Sequence, residues 1–376
     1  MRRNVFIKAL VLGTIGCAFS ATGFAADVQN GHGQGIADST TEVNGAKHEA
    51  VRSNWMDRTD ITVGAQSKVG AQVSVETLQP LTHYDENSKS VLFVQGGIGK
   101  GGQEDKASYF SGGNGGFWYP YNPITKKGEQ RYRPEEHHDT KSLGTVANVG
   151  LGYRVLSKHE HAYVGVNTFY DHSFSKKYNR ISGGLEYVSG LNEVRANIYK
   201  GLNSTKSEPY NVPLYEGYFE FLLDGGTAGY TVYKSQKALS GYDVSYARTF
   251  KNARWARAYV GAYHWNGLGV KTHGEGSALA LNVGKSHGWQ AGTTLQLIPH
   301  ISLDVGYTSD NNHSSGAYGF VKYTLGTSKF AWYGGKHSDD TITNARARML
   351  DKVDRSPMRV GNTYEEFWMV VPYDHL

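Results

Sequence analysis

The sequence predicts an all-β protein, an antiparallel transmembrane β-barrel of twelve strands, and three observations lead to this fold class. From Val91 onward, twelve runs alternate apolar and polar residues with the two-residue period of a strand that has one apolar and one polar face. Several runs last about nine to eleven residues, the length that a tilted strand needs to cross a bilayer. The connections between runs are short turns at one rim and longer loops at the other, as in bacterial outer-membrane barrels.

The first 25 residues predict a secretory signal peptide. Two arginines and Lys8 precede or border an apolar run, and Gly23 and Ala25 occupy the small-residue positions of a cleavage site. Its removal takes away three positive charges and lowers the formal net charge from +5 to +2. Cys17 is the only cysteine, so we expect neither a disulfide nor thiol chemistry in the mature chain. The other lysines and arginines are scattered along the chain, which argues against a nucleic-acid partner.

The remaining chain divides into four predicted parts. Residues 26–58 lack periodicity and predict a flexible N-terminal segment, and 59–90 predict an extended segment before the barrel. The barrel is predicted at 91–326 and a C-terminal linker at 327–376. The twelve runs are "VLFVQGG", "TVANVGLGYRV", "HAYVGVNTFY", "NRISGGLEYV", "EVRANIYKGL", "EGYFEFLL", "TAGYTVYK", "GYDVSYART", "ARAYVGAYHW", "WQAGTTLQLIP", "ISLDVGYTSD" and "GAYGFVKYTL".

A further segment, "ALALNVGKS" at 278–286, also alternates and leaves a second strand count open. If it forms a separate barrel strand, "KVGAQVSVET" in the segment before the barrel must also join, because bacterial barrels have an even number of strands. The total is then fourteen. We favour twelve, with 278–286 as a hairpin extension above the membrane, because this choice keeps the short turns together at one rim.

The alternation also predicts which side chains face the lumen and which face lipid. A charged side chain at the bilayer midplane costs about 2 to 4 kcal/mol, so the polar parity must point inward. The lumen-facing set is Glu193, Arg195, Asn197, Asp304 and Lys322. The lipid-facing set is Val194, Ile198, Leu303, Val305 and Val321.

The stretch "YVGVNTFYDHSFSKKYNRISGGLEYVSGLNEVRANIYKGLN" at 163–203 resembles the β-domain of inverse autotransporters, the intimin and invasin family. The resemblance extends from about 55 to 326 through "QPL", "LFVQGG", "NVGLGYR", "KALSGYDVSYART" and "RAYVGAYHW". It implies a twelve-stranded outer-membrane barrel with a periplasmic N-terminus, whose C-terminal linker returns through the lumen as a helix and displays a passenger. Two features depart from the family: the long insert after "VLFVQGG", and the end at Leu376, which leaves no room for the usual adhesive modules.

The C-terminal linker contains one good helical stretch, "TITNARARMLDKVDR" at 341–355. A helix of this length spans roughly 22 Å at 1.5 Å per residue, which is close to the height of a barrel. We therefore predict a lumen helix that carries Arg346, Arg348 and Asp351 and keeps the barrel nearly closed.

No motif predicts catalysis, a cofactor or a metal. "GGIGKGG" contains G-x-G-x-x-G without a following helix, and the histidines of "HHD" and "HEH" fit solvated loops better than a fixed ligand set. Asp171, His172 and His264 are predicted near the outer rim, where ordinary loop polarity accounts for them. We therefore expect no enzymatic activity.

The functional expectation is a barrel in the outer membrane of a Gram-negative bacterium that anchors a C-terminal segment and translocates it to the surface, with a role in adhesion. The alternatives are a stand-alone outer-membrane pore and a soluble exported β-protein. The expected partners are outer-membrane lipid, the barrel-assembly machinery, periplasmic chaperones and a surface ligand that contacts the loop at 98–144.

Overall fold

The computed structural model describes residues 54–85, 87–111, 135–206, 210–213, 227–271, 280–283, 285–311, 315–326, 331–333 and 345–371. Its strands, in chain order, are β1 Thr59–Gln66, β2 Gly70–Pro80, β3 Ser90–Lys100, β4 Gln103–Ser111, β5 Glu135–Ser142, β6 Thr145–Leu156, β7 Ala162–Ser173, β8 Tyr178–Ser189, β9 Asn192–Gly201, β10 Ser204–Lys206, β11 Tyr210–Pro213, β12 Thr227–Ala238, β13 Ser240–Phe250, β14 Ala253–Asn266, β15 Leu268–Lys271, β16 Ala280–Val283, β17 Ser286–Ile298, β18 Ile301–Asp310, β19 Gly316–Thr324 and β20 Arg359–Val371. Single 3₁₀ turns occupy Trp55–Arg58 and Ala345–Arg348.

Twelve of these strands close into one antiparallel barrel, which confirms the predicted fold class. The order around the barrel is β1, β19, β18, β17, β14, β13, β9, β8, β7, β6, β3, β2, and β2 pairs with β1 to close it. Hydrogen-bonded closure leaves no sheet edge unpaired, which is the condition for a sheet to cross a bilayer. Within the described ranges no helix is long and apolar enough to span a membrane.

The strand count was predicted correctly, but the barrel boundary was wrong. β1 and β2 lie in 59–90, which we had assigned to a segment before the barrel, and both are barrel strands. Conversely, the run "TAGYTVYK" belongs to β12, which pairs outside the barrel, and "EGYFEFLL" lies outside the described residues. Alternation shows that a strand has two unlike faces, but it does not show which strand is its hydrogen-bonded neighbour. β1 and β2 could therefore take the place of two predicted runs while the number of barrel strands stayed at twelve.

A second sheet stands on one rim of the barrel. It has the order β10, β12, β20, β4, β5, with β11 also paired to β12, and β20 runs parallel to β4. Two residues separate the end of β3 from the start of β4, and one residue separates β12 from β13, so the sheet continues from the rim. We call this rim the sheet end. The opposite rim, the turn end, carries the tight turns 157–161, 190–191, 251–252 and 299–300 and the loop 81–89.

Two other parts of the predicted organisation have different outcomes. In the segment at 278–286, residues 280–283 form β16, which pairs with β15 outside the barrel as predicted for a twelve-stranded count, and Ser286 begins the barrel strand β17. Residues 1–53 lie outside the described residues, but the end of the predicted flexible segment is ordered, because Asn54 caps the turn Trp55–Arg58 and Arg58 donates to the carbonyl of Leu78 at 3.1 Å. The end of this segment is therefore part of the folded unit.

The predicted helix at 341–355 is wrong where the structure describes it. Residues 341–344 lie outside the described residues, Ala345–Arg348 form one 3₁₀ turn, and 349–358 form no helix. This non-helical chain is stable in the lumen because side chains of the wall bind its backbone groups, which a helix would have paired internally.

Candidate functional site

The candidate site is the barrel lumen together with residues 345–358, which we call the lumen chain. At the turn end, Tyr84 donates its hydroxyl to the carbonyl of Arg346 at 2.7 Å. At the sheet end, the amide of Gln103 donates to the carbonyl of Met358 at 2.8 Å, and β20 begins at the next residue. The lumen chain therefore crosses the barrel from the turn end to the sheet end.

In the lower part of the lumen, nearer the turn end, Arg154 and Gln95 bind the backbone of the lumen chain. Arg154 donates from Nη1 to the carbonyls of Met349 and Asp351 at 2.8 and 2.6 Å. Gln95 accepts from the amide of Val353 at 2.7 Å and donates to its carbonyl at 3.3 Å. Gln95 thus reproduces the two hydrogen bonds of a strand neighbour.

In the upper part, nearer the sheet end, three wall residues continue this backbone binding. Arg180 donates to the carbonyls of Ser356 and Pro357 at 2.9 and 3.0 Å. Asn197 donates to the carbonyl of Asp354 at 3.3 Å, and the hydroxyl of Tyr199 accepts from the amide of Ser356 at 2.8 Å. Because all of these contacts are made to backbone groups of the lumen chain, they depend little on its side chains.

Four cations of the lumen chain pair with four acids of the wall or its turns. The pairs are Arg346 with Glu160 at 2.6 Å, Arg348 with Glu193 at 2.6 Å, Arg355 with Asp171 at 2.5 Å, and Lys352 with Asp60. Breaking a buried pair by removing one partner leaves an uncompensated charge. The lumen chain and the wall are therefore matched in charge along most of the crossing.

Glu193 is the centre of this network. Its carboxylate receives Arg195 and Arg257 at 2.9 Å each, in addition to Arg348 from the lumen chain. Its side chain is buried, so the three guanidinium groups replace the water that the carboxylate has lost. Arg154 and Glu186 form a second fully buried pair at 2.7 Å.

The lower lumen also contains an apolar core, which the sequence analysis missed. Phe93, Tyr163 and Val188 of the wall pack with Met349 and Val353 of the lumen chain, and all five are buried. The signal was present in "VLFVQGG", where four consecutive apolar residues break the alternation. An apolar run on both faces indicates that the inward side chains, here Val91 and Phe93, are apolar as well as the outward ones.

Outside the membrane-spanning strands, the groups of the turn end with shifted pKa values include Glu160 and Tyr84. Hydrogen bonds from Arg346 and Lys89 lower the pKa of the Glu160 carboxyl to about 2. Burial raises the pKa of the Tyr84 hydroxyl above its usual value, although the nearby Arg346 guanidinium acts in the opposite direction. Glu160 therefore stays ionised and bound to the lumen chain at neutral pH.

The residues of the predicted lumen-facing set divide into two groups. Glu193, Arg195 and Asn197 are buried and contact the lumen chain. Asp304 and Lys322 are on inward positions of β18 and β19 but are only partly buried, and Asp304 accepts from the hydroxyl of Tyr259 at 2.7 Å.

The predicted lipid-facing set is on the outside of the barrel wall. Ile198 is 68% exposed, whereas its strand neighbour Asn197 is 4% exposed. Val194, Val305 and Val321 are exposed in the same way, and Leu303 is partly exposed on their parity. Contact of this surface with lipid stays a prediction.

In the predicted lumen helix, Arg346 and Arg348 are buried and Asp351 pairs with Arg348 at 3.0 Å. These side chains reach the lumen although the helix is absent. Parity could have found Arg154 and Arg180 too, because Arg154 stands between the exposed Tyr153 and Val155, and Arg180 precedes the exposed Ile181.

Three polar residues that the sequence placed near one rim do not converge. Asp171 points inward and binds Arg180 at 2.8 Å and Arg355. His172 contacts Asn179 at 2.7 Å, and His264 stacks on the exposed ring of Tyr242. The described residues also contain no group of three or more His, Cys, Asp or Glu side chains that could share a metal ion.

The structure is thus a twelve-stranded barrel that its own C-terminal chain crosses. The family model of the inverse autotransporter β-domain matches residues 135–357, which is more than half of the chain. The chain belongs to the inverse autotransporter β-domain family. The matched region includes the lumen chain as well as the barrel strands from β6 to β19, so this inverse autotransporter β-domain is an outer-membrane barrel.

Solved structures resemble this inverse autotransporter β-domain only distantly. A membrane protein from a study of in-meso crystallization has 13% identity and a TM-score of 0.48, covering 82% of this chain and 99% of its own. Outer membrane phospholipase A from Escherichia coli has 11% identity and a TM-score of 0.34, covering 72% and 91%. The β-domain of the Bordetella autotransporter BrkA has 9% identity and a TM-score of 0.24, covering 71% and 97%. A search of curated proteins finds no match.

Proposed function

We propose that this inverse autotransporter β-domain anchors its own C-terminal chain in the outer membrane and translocates it to the cell surface. The observation that carries the proposal is the continuous path of residues 345–371. The lumen chain is bound from Arg346 to Met358, and β20 then joins the second sheet by pairing with β12 and β4. A chain held at both rims by these contacts stays in the lumen.

The orientation follows from the two rims. We assign the turn end to the periplasm and the sheet end to the cell exterior, because outer-membrane barrels carry short turns inside and long loops outside. A cleaved signal peptide at 1–25 would direct the chain across the inner membrane. Barrel-assembly machinery, periplasmic chaperones and outer-membrane lipid are the corresponding partners.

Adhesion is a further part of the proposal. The insert at 98–144 contributes the hairpin β4–β5, and β20 pairs with its first strand. The emerging C-terminal segment and the insert thus share one sheet that is available to a surface ligand. No catalytic role is proposed.

Two epitope tags test the orientation. One tag is appended at Leu376 and the other replaces the turn 251–252 in a separate variant. On intact cells an antibody should bind the C-terminal tag and not the turn tag, whereas permeabilised cells should bind both. Access to the turn tag alone on intact cells would reverse the orientation and reject the proposed display.

A further inference from the structure

The lumen chain lies against one side of the barrel wall. Its backbone hydrogen bonds to wall side chains come from β3, β6, β8, β9 and β13, and its apolar contacts come from β2, β3, β6, β7, β8 and the loop 81–89. On the opposite side ion pairs join Lys352 to Asp60, near the start of β1, and Arg359 to Asp310, at the end of β18. Between these two ends the described inward residues of β17, β18, β19, β1 and the start of β2 (70–75) are mostly partly exposed, whereas Leu78 at the end of β2 packs in the apolar core.

Most inward side chains of this wall are small or uncharged and partly exposed; the charged exceptions are Asp60, Glu76, Asp304, Asp310 and Lys322. Val63, Val73 and Trp289 are exposed on the outer surface of these strands. The residues next to them therefore face the lumen, since successive residues of a strand face opposite sides. The inward residues Thr62, Gln66, Gln72, Ser74, Gln290 and Thr294 are all partly exposed. We call these six residues the lane.

The lane continues from one rim to the other. At the turn end the lane is bordered by Lys322 and Asp304. At the sheet end it finishes at its own residues Gln66 and Gln72, which hydrogen-bond each other at 3.4 Å. In the middle, inward positions 292 and 306 are glycines, and the tyrosine hydroxyls of Tyr259 and Tyr318 lie over them. These tyrosines stay close to the wall because a Cβ at Gly306 would stand 2.3 Å from the Tyr318 hydroxyl.

We propose that the lane conducts small polar solutes and ions across the barrel while the lumen chain is in place. The lumen chain therefore closes only one half of the lumen, in contrast to the nearly closed barrel that the sequence predicted. This inference goes beyond display of the C-terminal chain, because display needs only the bound half.

The charges at the lane predict a weak preference for cations. Asp304 and Lys322 border the lane on neighbouring strands and have opposite charge. Glu76 at an inward position of β2 and Asp354 of the lumen chain, whose side chain is 56% exposed, add negative charge. Lys322→Gln should strengthen the preference for cations.

A matched pair of cysteine variants tests whether solvent reaches the lane. Ser74→Cys is in the lane, whereas Ser182→Cys makes the same change at a buried inward position of β8. The wild-type chain, whose only cysteine is Cys17, measures the background. The full-length variants are inserted into lipid vesicles and treated with a charged, membrane-impermeant methanethiosulfonate reagent. Ser74→Cys should react at least about tenfold faster, because a buried thiol must wait for local opening.

The same two variants are then measured in planar bilayers. Reaction at Ser74→Cys should lower the single-channel conductance, and the reagent should leave the conductance of Ser182→Cys unchanged. Heat-modifiable gel migration verifies that each variant is folded, and Thr294→Cys replaces Ser74→Cys if the latter fails. The proposal is overturned if the full-length chain does not conduct, if both cysteines react at the same rate, or if modification of the lane leaves conductance unaltered. None of these readouts depends on which rim faces the cell exterior.

Discussion

The two halves of the barrel wall use the same strand geometry and differ in what they present to the lumen. The bound half, β3 with β6–β9, carries inward Phe93, Arg154, Phe169 and Arg180, each less than 2% exposed. The lane half, β17–β19 with β1 and β2, carries mainly glycine, serine, threonine, glutamine and tyrosine at inward positions, most of them partly exposed. Strand number sets the width of a barrel, so side-chain size decides which part of that width is filled.

The outer surface shows no such difference. Val166, Leu185 and Ile198 are exposed on the bound half, and Val63, Val305 and Val321 are exposed on the lane half. Outward positions are therefore apolar around the entire barrel, as a bilayer requires. Inward positions can differ in size and polarity from one part of the wall to another.

The largest expected effect comes from removing one inward carboxylate from each half. Glu193→Gln leaves three guanidinium groups without their shared partner, and we expect a loss of about 3 to 5 kcal/mol in the free energy of unfolding. Asp304→Asn removes a carboxylate from the partly exposed lane, and we expect less than about 1 kcal/mol. Urea unfolding in lipid vesicles, followed by gel migration, measures both. Equal losses would show that the two halves do not differ in burial.

A second pair tests the surface that the halves share. Leu303→Arg puts a charge on the outer parity, at a cost of about 2 to 4 kcal/mol at the bilayer midplane, whereas Asp304→Arg keeps the charge inside. Folding yield in lipid vesicles should fall much further for Leu303→Arg. Identical yields would contradict the assignment of outward and inward faces.

A third pair of variants removes one glutamine amide from the bound half and one from the lane. Gln95→Leu removes both hydrogen bonds to Val353 and leaves buried backbone groups unpaired, which costs about 1 to 3 kcal/mol. Gln290→Leu makes the same change in the lane, where a loss within about 0.5 kcal/mol is typical of a partly exposed site. The rate of protease cleavage within 345–358 reports release of the lumen chain. It should rise only for Gln95→Leu.

The smallest effect is a pH dependence at the turn end of the bound half. The carboxyl of Glu160 has an unperturbed pKa of 4.5, and Arg346 and Lys89 lower it to about 2 in the folded protein. A lowered pKa stabilises the folded state above the unperturbed value, so this contribution is complete above pH 4.5 and is lost as the pH falls toward about 2. Cleavage of the lumen chain by an acid-active protease should increase over that window. In Glu160→Gln the increase attributable to this group should disappear.

The local pattern predicted the strands most completely between β6 and β9. Glu193, Arg195 and Asn197 alternate with Val194, Ala196 and Ile198, and the same parity places Arg154 and Arg180 inward. The reason is geometric, since successive side chains of a strand face opposite sides whatever surrounds the sheet. The candidate site was predictable only in part. The inward charged residues were identified, but their partners were not.

Partners, closure and the conformation of the lumen chain were decided by the tertiary structure. Arg348 meets Glu193 across 155 residues of sequence, and β1 rather than β12 completes the barrel. Residues 349–355 belong to the predicted helix but form none, because Gln95, Arg154 and Arg180 bind backbone groups of the lumen chain. The sequence by itself determined the apolar outside and polar inside of each strand, which are local properties. Which strands pair and which half of the lumen is filled depend on contacts between distant residues, and alternation carries no information about these.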